Sequence, residues 1–152
     1  DQIPDFESYS MKGRTYRFMT EKPLFPFGFG LSYTTFNVGE AKVFNAEAEP
    51  GENVELSVPV TNAGKTDGAE TIQVFVRKTG DTDGPVKTLK AFQRIAVAAG
   101  KTEKADISLP YNSFEFFNRE SGKMAVIPGE YEIFCGTSSD DKDLKKAKVV
   151  LQ

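Results

Sequence analysis

The chain contains no histidine, no tryptophan and a single cysteine, Cys135. Without histidine it lacks the commonest general base, the usual activator of a nucleophile and the ligand on which most zinc sites depend. One cysteine forbids an internal disulfide, and its place between Phe134 and Gly136 reads as a buried strand position. No apolar run approaches the ~20 residues of a membrane-spanning helix. Asp1 to Glu7 lack the basic and apolar regions of a signal peptide. A basic excess is missing too. The formal net charge is −3, so no positive stripe is available to bind nucleic-acid phosphates or acidic lipid. No segment carries the periodicity of a long amphipathic helix.

What is present suits one domain with a core, plus some extra length: 152 residues, 39% hydrophobic and 27% charged. Composition shifts near Phe36. Residues 1–36 hold nine of the eighteen aromatics (13 Phe and 5 Tyr in all) together with Pro4, Pro23 and Pro26, but show no sustained periodicity. Residues 1–35 are therefore expected to be an extended or turning lead, and residues 36–152 the folded domain. Aromatics at that density need a surface to cover, on the following domain, on a partner domain, or on each at different positions.

From Phe36 onward the pattern is β. Val54, Leu56, Val58 and Val60 alternate with Asn53, Glu55 and Ser57, which predicts a half-buried strand. Ile72, Val74 and Val76 predict a second, joined to the first by the turn-rich segment 62–68 and expected beside it. Further strands are expected at 36–44, 92–97, 104–109, 113–117, 130–136 and 147–151. Pro59 cannot donate to a ladder, so its strand is expected at an edge or bulged there. About seven or eight short antiparallel strands without a helical crossover predict an immunoglobulin-like, fibronectin type III-like β-sandwich, with a closed barrel as the alternative.

Few motifs point to chemistry. Gly28-Phe29-Gly30 begins like a dinucleotide fingerprint, but Tyr33 stands where the third glycine belongs. Asp140, Asp141 and Asp143, and the loop Asp81-Thr82-Asp83-Gly84, offer oxygen ligands without calcium-loop spacing and read as solvated turns. Glu115, Glu130 and Glu132 alternate with apolar residues and read as outward strand positions rather than a glycosidic carboxylate pair. Phe114 and Phe116 share a parity and are expected in the core, leaving Phe117 spare for a partner or for stacking on sugar.

The runs Gly13-Arg14-Thr15-Tyr16-Arg17-Phe18-Met19 and Pro23-Leu24-Phe25-Pro26-Phe27-Gly28-Phe29-Gly30-Leu31-Ser32-Tyr33-Thr34 resemble the late segment of glycoside hydrolase family 3 enzymes. Val60-Thr61-Asn62-Ala63-Gly64, Lys87-Thr88-Leu89-Lys90-Ala91-Phe92-Gln93-Arg94 and Gly129-Glu130-Tyr131-Glu132-Ile133 follow in the family's order. The sequence departs from the family at Phe25 and Phe29, where tyrosine or histidine is frequent, and at Met124-Ala125-Val126, where tryptophan is. The resemblance implies a C-terminal fibronectin type III-like domain of a retaining, exo-acting β-glucosidase or β-xylosidase. Its aspartate nucleophile and acid/base carboxylate would belong to preceding domains, so no catalytic, cofactor or metal residue is expected in this chain. It also implies a periplasmic or secreted parent.

The leading expectation is an accessory domain that docks on the catalytic barrel and α/β sandwich domains of the same parent, through Arg14, Tyr16, Arg17, Phe25, Phe27, Phe29 and Tyr33. The alternative is a module that places the parent on polysaccharide, and its mark would be a row of coplanar, solvent-facing rings. An unrelated, self-contained binding protein is the third reading. It is disfavoured because Asp1 is no natural start and the apolar lead would stay uncovered.

Overall fold

Alternation from Val54 to Val60 turns four apolar side chains inward, and the strand that carries them organises the first of two sheets. The computed structural model describes residues 5–152. The lead's first four residues, with Asp1 and Pro4, lie outside the described residues. After one helical turn, α1 (Thr15–Phe18), come β1 (Phe36–Val38), β2 (Lys42–Val43), β3 (Glu47–Ala48), β4 (Val54–Asn62), β5 (Gly68–Lys78), β6 (Thr88–Val97), β7 (Thr102–Leu109), β8 (Phe116–Asn118), β9 (Lys123–Ala125), β10 (Gly129–Gly136) and β11 (Lys145–Leu151).

One sheet sets β4 between β7 and the pair β1 and β2; the other runs β3-β11-β10-β5-β6. Val54, Leu56, Val58, Val60, Ile107 and Leu109 of the first sheet meet Ile72, Val74, Val76, Ile133, Val149 and Leu151 of the second in one buried core. Among the described residues no ladder joins the two sheets, so the arrangement is an open sandwich rather than a closed barrel. The β8–β9 hairpin stands apart, with Phe116 in the core and Phe117 turned to solvent. Cys135 is fully buried on β10, and burial pushes its thiol up to about 12.

Several expectations are corrected. β4 and β5 are not neighbours; they belong to different sheets, and residues 63–67 arch between the layers. β4 is not an edge strand. Its neighbour is interrupted instead: Pro59 O accepts from Gly39 N (2.8 Å), so the side of β4 that would need the missing Pro59 donor faces the gap between β1 and β2. The strand expected over 113–117 begins as a 3₁₀ turn, Tyr111–Phe114, because Ser113 N bonds back to Pro110 O (2.8 Å). Not every pairing is antiparallel, since the two-residue β3 runs parallel to β11.

Two polar side chains fix the ends of the sandwich. Asn62 is fully buried; its amide nitrogen donates to Thr66 O (2.8 Å) and Val97 O (2.9 Å), and its oxygen accepts from Thr34 Oγ1 (2.6 Å) and Gly64 N (3.0 Å). It thereby ties the lead, the 63–67 arch and the end of β6 together. Gly64 is required there, because a Cβ would stand 2.1 Å from Thr34 Oγ1. At the other end the Tyr131 hydroxyl donates to Ile127 O (2.7 Å) and accepts from Ile127 N (3.2 Å), the tyrosine-corner arrangement of β-sandwiches.

Asn62→Ala leaves several of these partners unpaired and should cost about 2–4 kcal/mol in urea unfolding. Burial is the main cause that raises the Tyr131 phenol from 10.0 to about 12. The unfolded phenol loses its proton first as pH rises, so the stability Tyr131 contributes is intact below about pH 10 and declines towards 12. Tyr131→Phe should abolish that part of the alkaline decline while lowering stability at neutral pH.

Candidate interdomain surface

β5 places Phe75 between Val74 and Val76, so its ring points away from the core, yet it is 0% exposed. The lead covers it. Tyr16 stacks on Phe27 (centroids 4.3 Å), and both meet Phe75 edge-on, at 5.9 and 6.5 Å. Backbone bonds pin the segment down: Val86 N to Arg17 O (2.6 Å), Ser139 N to Phe27 O (2.8 Å) and Ala63 N to Thr35 O (2.8 Å). Leu89 N donates to the Tyr16 hydroxyl (3.1 Å). Gly28, at φ +82°, lies so close over Gln73 that a Cβ would be 2.1 Å from its amide nitrogen.

The seven residues expected at a seam therefore divide. Tyr16 and Phe27 pack onto the chain's own sandwich, though Phe27 keeps 44% relative exposure. Phe25, Phe29 and Tyr33 face solvent, Tyr33 at 103% relative exposure, and Phe25 lies against Phe29 at 5.3 Å. Leu24 and Leu31 are exposed as well. Arg14 donates from Nη2 to Ser8 O (2.9 Å) within the lead, and the Arg17 guanidinium lies 5.6 Å from the Phe18 ring centre. The partners Phe75, Gln73 and Asn62 were missed. A signal for Phe75 exists in the uninterrupted run Val74-Phe75-Val76, which indicates a strand covered on both faces.

Beyond the lead, the same outer face carries charge. Glu132 is nearly buried rather than simply outward-facing. Burial opposes its ionisation, but Arg77 and Lys146 outweigh burial and hold the carboxyl below its ordinary range. Arg77, Lys87 and Lys146 surround the Phe134 ring at 5.6, 6.0 and 5.1 Å. The three aspartates near the C-terminus are engaged separately: Asp140 accepts from Lys142 N, Asp141 pairs with Lys87, and Asp143 accepts from Ser138 Oγ. Among the described residues no three such side chains converge as metal ligands.

A family profile described as a fibronectin type III-like domain matches residues 70–139. A xylan 1,4-β-xylosidase of Xylanibacter ruminicola is 53% identical over 99% of this chain and 17% of its own length. A periplasmic β-glucosidase of Salmonella typhimurium is 34% identical over 91% of this chain and 20% of its own length. Among solved structures, a β-glucosidase from Listeria innocua superposes with TM-score 0.75 and 31% identity over 86% of this chain and 18% of that one. The chain thus spans about a fifth of the length of the relatives it matches. By its sandwich and its profile match the chain contains a fibronectin type III-like domain, and over nearly all of its length it is similar to part of enzymes named β-xylosidase and β-glucosidase.

Proposed function

We propose that the chain is a non-catalytic accessory domain of a larger retaining β-glucosidase or β-xylosidase, docking on that enzyme's catalytic barrel and α/β sandwich domains and stabilising them. One observation carries this reading. The lead is fixed to the sandwich on one side while Leu24, Phe25, Phe29, Leu31 and Tyr33 remain exposed on the other. Exposed apolar side chains gathered within ten residues of a pinned segment have the character of an interface surface. The relatives named as β-xylosidase and β-glucosidase support the parent's reaction class, and the periplasmic relative supports a periplasmic or secreted setting.

Attachment of the parent to polysaccharide by a ring platform has less support. The sandwich's exposed rings, Phe44, Phe92 and Phe117, stand on separate elements, and no ring contact joins them.

The two sides of the lead should respond differently to substitution. Phe27→Ala uncovers Phe75 and should destabilise the isolated chain by about 1–2 kcal/mol. Phe25→Ser with Tyr33→Ser should change the isolated chain by no more than about 0.5 kcal/mol, while lowering the melting temperature of the full-length parent. Equal melting of parent and doubly substituted parent would overturn the docking reading. The isolated chain should release no nitrophenol from p-nitrophenyl β-glucoside or β-xyloside, and turnover there would overturn the non-catalytic assignment.

A further inference from the structure

The outward face of the β8–β9 hairpin is apolar where a half-buried hairpin normally presents polar groups. Phe117 and Met124 are direct cross-strand partners, 60% and 56% exposed, and form an apolar floor two side chains wide. That floor opens into a cleft of about 210 Å³ between the hairpin, the 81–85 loop and the Arg17–Phe18 end of α1. The cleft lies apart from the strip formed by Leu24, Phe25, Phe29, Leu31 and Tyr33.

The rim is built of both charge signs. Asp83 pairs with Arg119 at 2.7 Å, and Asp81 Oδ1 accepts from Gly84 N at 2.8 Å, which holds the loop in shape. Lys90 is the extra residue where β6 slips against β5 between Val74 and Phe75, and a bulge of this kind re-aims a side chain. Its ammonium sits 4.9 Å from the Phe116 ring centre and donates to Glu115 O (3.2 Å). Burial, aided by Arg17, lowers its pKa.

From this arrangement we propose that the cleft binds a single neutral sugar ring. A pyranose has an apolar C–H face that lies on a phenyl ring and a rim of hydroxyls that both donate and accept. Carboxylates accept those protons, and guanidinium and ammonium groups donate to the oxygens. Acids Asp81, Asp83 and Glu115 and bases Arg17, Lys90 and Arg119 are matched in number, so the cleft has no net preference for an anion or a cation. Its volume and two-residue floor are too small for a helix or a strand.

The test is titration of the isotope-labelled chain with methyl glycosides of neutral hexoses and pentoses, followed by amide chemical shifts, with methyl glucuronide as the charged comparator. The expected result is saturable shifts confined to residues 81–85, the β8–β9 hairpin and the Arg17–Phe18 turn, at millimolar affinity. Phe117→Ala should weaken binding about 10-fold, whereas Phe92→Ala, an exposed ring elsewhere, should not. Unchanged thermal unfolding of Phe117→Ala would show that the fold is retained. Absence of saturation, shifts centred elsewhere, preference for the glucuronide, or insensitivity to Phe117→Ala would overturn the proposal. Its fate is independent of the docking reading, because the residues altered in the two tests differ.

Discussion

A phenyl ring on the outer face of a sheet has to be covered, and Phe75 imposes that requirement on the whole N-terminal part of this chain. Its ring projects from β5 away from the core, where hydration would forfeit most of the ~2 kcal/mol that burial of such a side chain contributes. Tyr16 and Phe27 cover it, which fixes the height and direction of the segment between them. Phe25, Phe29 and Tyr33 stay exposed around those contacts, and Phe27 itself keeps 44% relative exposure.

Asn62 extends the same coupling to the end of the sandwich. A buried amide with both donors and its acceptor engaged stabilises only when every partner is present, since each unpaired group costs about 1–3 kcal/mol. Here the partners come from the lead, from the arch between the sheets and from β6, so all three share one cooperative contact. The surface strip ends at Tyr33, one residue before Thr34, which donates to this amide. A lead anchored at both ends holds its rings as a surface instead of a loose tail.

Charge follows the same logic of cover. The outer face of the second sheet carries Arg77, Glu132, Lys87 and Lys146 around Phe134, so the part of the face not covered by the lead is shielded by aliphatic stems and paired ions. The β8–β9 hairpin is the exception, because its outward Phe117 and Met124 stay more than half exposed beside the lead's Arg17–Phe18 turn and the Asp83–Arg119 pair.

Alternation was enough to read the sandwich from the sequence. Val54 to Val60, Ile72 to Val76 and Ile133 with Cys135 each send one parity into the shared core, and a period of two leaves no freedom about which side chains meet there. The family segments and the burial of Cys135 were legible for similar local reasons. Three things were not: the separation of β4 and β5 into different sheets, the break opposite Pro59, and the sorting of the lead's rings into inward and outward sets. Each depends on contacts between residues far apart in sequence, such as Asn62 with Val97, Pro59 with Gly39, and Tyr16 with Phe75. A strand's own sequence states which residues must be covered, but only the assembled structure decides what covers them.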